Sequence, residues 1–139
     1  MKRDTSPSLS KRFFGYGLAI LLGLALPLTL IGSLFYDGTS TLRNPWIVLA
    51  AYAPAMSVAC LNFHLSFVRP RLWMREHGNM EGYLFVSGAP AVGTVAAAIA
   101  AAVTFGSDVG AAMGLVICLL DTGGMTWFMI MCLRHRLLD

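Results

Sequence analysis

Five polar side chains fall inside apolar stretches of the sequence, where they could hold a partner protein or handle a proton or an ion. They are Asp121, Thr94, Ser57, His64 and Asn62. Asp121 stands in the segment LLDTGGMTWF, and a carboxylate near the middle of a membrane span costs about 2.5–3.5 kcal/mol. A buried acid lowers that cost by taking up a proton or by accepting hydrogen bonds. Asp121 is therefore the first candidate site residue.

The other four polar residues are the candidate partners of this acid. Thr94 and Ser57 are expected at a similar depth, whereas His64 and Asn62 should lie about two turns nearer the cytoplasm. We expect Asp121 mainly to join helices by hydrogen bonds. Binding of a partner and handling of an ion or proton are the two alternative roles.

Four long apolar stretches must position these residues. Of the 139 residues, 57% are hydrophobic and 12% are charged, which is far more apolar than an ordinary soluble domain. The stretches cover about residues 13–36, 46–68, 83–105 and 109–133. A helix rises ~1.5 Å per residue and the hydrocarbon layer is ~30 Å thick, so each stretch is long enough to cross once. The sequence predicts an all-α polytopic membrane protein, a bundle of four transmembrane helices joined by short loops.

The basic residues predict the orientation of this bundle. Ten residues are Lys or Arg, and all except Arg43 precede the first stretch, follow the fourth or lie between the second and third. Positive residues favour the cytoplasmic side. We therefore expect an inner membrane protein of bacterial type whose tails, residues 1–12 and 134–139, are both cytoplasmic.

The loop between the second and third stretches carries a cluster suited to lipid headgroups. Arg69, Arg71 and Arg75 would meet phosphates, and Trp73 would rest at the interface. The bilayer is thus one predicted partner. Nucleic acid is not, because the basic residues are short flanks rather than a patch on a soluble domain.

Small residues predict how the helices pack, because membrane helices associate by close approach of their backbones. The candidate packing residues are Gly110 and Gly114 on the fourth stretch and Gly93 and Ala97 on the third. We expect these two faces to meet. Gly123 and Gly124 are interpreted in the same way, as positions of close helix approach, and a broken helix that forms a binding site is the alternative.

The sequence carries no recognisable catalytic or metal-binding arrangement. Cys60, Cys118 and Cys132 all fall within predicted spans, unlike the external cysteine pairs of the four-helix membrane disulfide oxidoreductases. The histidines are scattered, and a metal site needs clustered ligands. We therefore predict no catalytic residue, no metal and no cofactor.

The short loops and small-residue faces favour a non-catalytic protein that binds a partner through its helices. It would be a subunit of a membrane complex or an immunity protein that neutralises a toxin at the inner membrane, and it could also form a homo-oligomer. The alternative is a small proton- or ion-coupled transporter that uses Asp121. In size and helix count the chain resembles the small multidrug exporters, but their essential glutamate is in the first helix, and the first span here contains no acid.

Overall fold

A computed structural model describes residues 9–36, 44–86 and 88–138, with side chains from 17 to 134 apart from residue 19. The described residues form helices and no strands. The helices are α1 (Leu9–Leu34), α2 (Pro45–Phe63), a π-helical segment (His64–Val68), α3 (Arg69–His77), α4 (Val92–Val103), α5 (Asp108–Leu120) and α6 (Met125–Leu138). The all-α prediction is confirmed for this part of the chain. Residues 1–8 of the predicted N-terminal tail lie outside the described residues, as does the loop 37–43, which contains Arg43.

α2, the π-helical segment and α3 form one continuous helix of 33 residues, Pro45–His77. Its first turn is capped by Asn44, whose side chain accepts a hydrogen bond from the Trp46 N–H, with Pro45 at the first helical position. It ends at Gly78 in the left-handed conformation, φ 72°. The helix runs past the predicted boundary at residue 68, so much of the predicted loop is helical.

The third predicted span is helical only in its second half. α4 begins at Val92, and the described residues between 83 and 91 are not helical. The prediction of a helix from about residue 83 is wrong. Pro90 has no N–H to donate, and Ala91 has a φ of 63°, which residues with a Cβ seldom adopt. The described residues 83–86 and 88–91 are called the non-helical segment below.

The fourth predicted span is broken in its middle. α5 ends at Leu120, α6 begins at Met125, and the two helices are bent by 44°. The prediction of one unbroken helix over 109–133 is wrong, because Asp121 and the two glycines that follow are poor helix formers. Other groups satisfy the freed backbone: the Ala91 N–H donates to the Gly123 carbonyl at 2.9 Å.

The described helices differ in their suitability as membrane spans. The helix Pro45–His77 is long and apolar enough to cross a bilayer, and α5 with α6 makes a second candidate if the bent pair is one span. Ile20–Leu34 and Val92–Val103 are shorter apolar helices. Only 28% of the most apolar part of Pro45–His77 is buried, whereas the core helix of a soluble domain is mostly buried. One or two apolar candidate spans are thus present in the described chain.

The core lies where α1, α2, α4 and α5 meet. Leu30, Tyr52, Ala97 and Ile117 are buried there. Gly114 allows the close approach, since a Cβ on it would lie 2.6 Å from Leu30 and 3.2 Å from the Tyr52 hydroxyl. Gly114 therefore faces α1 and α2.

Gly110 and Gly93 lie where the third and fourth predicted stretches approach each other, as expected, whereas Gly114 faces α1 and α2 instead of the third stretch. A Cβ on Gly110 would lie 2.7 Å from the Thr104 hydroxyl, just after α4, and Gly93 faces Asp121. The spacing of small residues therefore identified close approaches, but it gave the wrong partner helix for Gly114.

Candidate functional site

Asp121 lies at the break between α5 and α6 and is 2% exposed. Its Oδ1 accepts a hydrogen bond of 2.6 Å from Nδ2 of Asn62, which is 1% exposed and stands near the end of α2. Two of the predicted site residues, 59 positions apart in the chain, thus form a buried pair. The second oxygen, Oδ2, is buried and has no hydrogen-bond partner among the described residues.

Asn62 also holds the non-helical segment. Its Oδ1 accepts from the Ala89 N–H at 2.9 Å, and its Nδ2 donates to the Ala89 carbonyl at 3.3 Å. These bonds satisfy two backbone groups that have no helical partner. Leaving such groups without a hydrogen bond away from water is costly. An amide suits this position because it both donates and accepts. Asn62 therefore joins α2, the non-helical segment and the break before α6.

Backbone encloses the Asn62–Asp121 pair on several sides, at positions that carry no side chain. Four glycines provide this space: Gly88, Gly93, Gly123 and Gly124. A Cβ on Gly88 would collide with Asn62 Oδ1, and one on Gly93 would collide with Asp121 Oδ2. The predicted close approach at Gly123 and Gly124 does occur, but it occurs at a helix break.

Two threonines extend the polar contacts of the break. Thr94 Oγ1 accepts a 3.1 Å hydrogen bond from the Met125 N–H at the start of α6. Thr122 Oγ1 donates to the Asn62 carbonyl at 2.9 Å and lies 2.8 Å from Ser66 Oγ. Thr94 is therefore near the site as predicted, although it bonds to the backbone of α6.

Ser57 and His64 lie away from Asp121. Both side chains are exposed, and the Ser57 hydroxyl donates to the Ala53 carbonyl of its own helix at 2.9 Å. The expectation that they surround Asp121 is wrong, because the helical repeat turns them to the opposite side of α2 from Asn62. They belong instead to an exposed row at spacings of three and four, which we call the α2 stripe: Trp46, Ala50, Ala53, Ser57, Cys60 and His64.

A polar cavity of about 240 Å³ opens beside the buried pair. Its lining residues are Asn62, Ser66, Val86, Gly88, Pro90, Thr122 and Gly123. The cavity therefore lies between the π-helical segment, the non-helical segment and the break before α6. π-helical turns inside α-helices are often found at functional sites. The sequence did not indicate Ser66 or Gly88 as site residues. Each becomes notable only because the structure has an irregular backbone there, a π-helical turn at Ser66 and the non-helical segment at Gly88.

Aromatic and basic side chains cluster on α3. The Trp73 and His77 rings stack at 3.8 Å between centroids, and the Arg69 guanidinium lies 5.6 Å from the centre of the Tyr83 ring. Arg71 and Arg75 are exposed. Binding of lipid headgroups by this cluster stays a prediction.

Cys60 is exposed and Cys118 is buried, and both are free thiols, as is Cys132. In the described part of the chain, no three His, Cys, Asp or Glu side chains are grouped as a metal site would require. Comparison of the chain with protein-family models, with curated proteins and with solved structures gave no match.

Proposed function

We propose that this chain is a multi-pass protein of the inner membrane with four membrane-crossing segments, two of them interrupted. The exposed apolar surface of α2 and the bent pair of α5 and α6 support two of the crossings. α4 rises about 18 Å, and the non-helical segment before it extends the third crossing by ~3.3 Å per residue. Non-helical backbone is tolerated at that depth when protein buries it or a water-filled cavity adjoins it. Asn62, which bonds both backbone groups of Ala89, and the polar cavity, which adjoins Gly88 and Pro90, support this assignment for the second half of the segment.

Within that architecture, the protein binds a partner through a helix and catalyses no reaction. The observation that carries this proposal is the α2 stripe. It joins small residues to the polar side chains of Ser57 and His64 on an exposed helix face. Helix faces made of small residues let membrane helices approach closely. A histidine that faces lipid is energetically costly. A partner helix laid along the stripe would gain packing and would cover His64.

The partner is either another subunit of a membrane complex to which this chain belongs or a toxin that this chain neutralises. Both need a small protein with a fixed orientation and an accessible helix face. The basic and aromatic residues of α3 would anchor the cytoplasmic end of that helix at the headgroups.

Photo-cross-linking tests the proposal directly. Cys60 is replaced by photo-reactive benzoylphenylalanine in the producing cell, and Ile99, which is 62% exposed on α4, is replaced in a matched control. We expect one discrete cross-linked species from position 60 and lipid adducts alone from position 99. Equal cross-linking from both positions, or no protein adduct from position 60, would contradict partner binding at the stripe.

A second candidate function is the coupled movement of a proton or cation through Asp121. The observation that favours it is the unpartnered, buried Oδ2 at a broken helix, because transporters place ion sites at such breaks. Asp121→Asn keeps the acceptor for Asn62 and removes the ionisable oxygen. In proteoliposomes, this variant should lose proton-coupled flux while remaining folded. Unchanged flux would exclude this role.

A further inference from the structure

The hydrogen bonds around the polar cavity fix which atoms remain free. Thr122 has one hydroxyl hydrogen, and it is donated to the Asn62 carbonyl. In the Ser66–Thr122 contact Ser66 must therefore be the donor. Asn62 donates its two Nδ2 hydrogens to Ala89 and Asp121. Among the described lining residues, no side chain keeps a free hydrogen.

The same side chains keep unused lone pairs. Ser66 Oγ, Thr122 Oγ1 and Asn62 Oδ1 can each accept a further hydrogen bond. The described lining contains no basic residue, and the carboxyl group of Asp121 lies one hydrogen bond behind the Asn62 wall. A ligand that brings hydrogens and positive charge complements this surface, whereas an anion would find only acceptors among these side chains.

The remaining walls narrow the chemical class of the cation. Val86 and Pro90 give the cavity an apolar side. Its volume of about 240 Å³ is several times the ~30 Å³ that one water occupies in the liquid. We propose that the cavity binds a primary ammonium group carried on a short alkyl chain. The three N–H groups donate to the three oxygens, and the carbon chain lies along Val86 and Pro90. The inference deepens the second candidate function by naming the class of its cation.

Calorimetric titration of the purified full chain in lipid nanodiscs tests this assignment. n-Butylammonium is the probe. Tetramethylammonium, a cation without N–H groups, and n-butanol, the same chain without a charge, are the ligand controls. Saturable binding of n-butylammonium alone is the expected result. No binding, or equal binding of tetramethylammonium or n-butanol, would overturn the proposal.

Two variants locate the binding in the cavity. Ser66→Ala removes an exposed acceptor that supports no backbone group, so it leaves the fold intact and should weaken n-butylammonium binding by about tenfold, as expected for one hydrogen bond to a charged group. Thr122→Val should weaken it similarly. Thr29→Val is the matched control, because the Thr29 hydroxyl bonds within α1 to the Ala25 carbonyl outside this cavity. Affinity unchanged in Ser66→Ala would place the amine elsewhere and overturn the assignment.

A lysine side chain of another protein presents the same group as a free amine. Nα-acetyl-lysine methylamide, titrated in parallel, separates the two sources, since tighter binding than n-butylammonium assigns the site to a lysyl side chain and weaker binding to a free amine. The titration measures binding and not flux. If n-butylammonium binds while Asp121→Asn leaves proton-coupled flux unchanged, the amine site stands and the transport function fails.

Discussion

Replacing Asn62 by leucine should unfold the region around the helix break. The variant keeps the size of the side chain but removes every bond that the amide makes. Three polar groups then lose a partner: the Ala89 N–H, the Ala89 carbonyl and Asp121 Oδ1. Each such loss costs about 1–3 kcal/mol in a buried site. Ala89 is partly exposed, so water recovers part of its share, and we expect a total of about 3–5 kcal/mol.

The assay is the free energy of unfolding in mixed micelles, with amide hydrogen exchange at residues 88–91 as a local probe. Leu61→Ala is the matched control, since Leu61 is adjacent in the chain and 50% exposed, and we expect a change of about 0.5 kcal/mol or less. Exchange at residues 88–91 should accelerate in Asn62→Leu and not in Leu61→Ala. An Asn62→Leu protein with the stability and exchange of the wild type would refute the role given to Asn62.

Three further substitutions test the close approaches. Gly93→Ala should destabilise the fold by about 1–3 kcal/mol, because the new methyl group collides with Asp121 Oδ2, whereas Gly32→Ala, which meets no atom within 4 Å, should be neutral or stabilising in the same unfolding assay. Gly114→Ala should also destabilise, by a smaller amount if Leu30 moves aside, and a stability equal to that of Gly32→Ala would show that α1 does not pack there. Thr126→Val should cost about 1 kcal/mol by removing the 3.1 Å bond to the Gly23 carbonyl of α1, and an unchanged free energy of unfolding would mean that this bond is not formed in the membrane.

The helical class and the buried acid were predictable because they depend on composition and local pattern. Long apolar stretches predicted helices, and a carboxylate within such a stretch indicated a buried acid. The pairing of Asp121 with Asn62 was only one of several alternatives, because helical spacing alone gives depth to within a turn or two and does not give the rotation of one helix against another.

Unbroken helices were favoured over the breaks, with a break at Gly123 and Gly124 only the alternative, because average hydrophobicity is insensitive to where a helix is interrupted. Residues 83–91 and 119–125 lie within longer apolar stretches, so composition averaged over a whole span favoured unbroken helices. The deciding signals were Pro90, which withdraws a backbone donor, and the Gly123–Gly124 pair next to Asp121. These signals become strong only when a side chain such as Asn62 is available to bond the freed backbone, and that contact crosses 27 positions of the chain.

A photo-cross-linking scan along α2 tests the central claim most directly. Benzoylphenylalanine is placed singly at the stripe positions 50, 53, 57, 60 and 64, and at Ile47 and Phe63, which are also exposed but lie on either side of the stripe. Partner binding along the α2 stripe predicts one protein adduct whose yield is high at all five stripe positions and low at the two flanking ones. A yield that is uniform around the helix, or highest at Ile47 or Phe63, would contradict it.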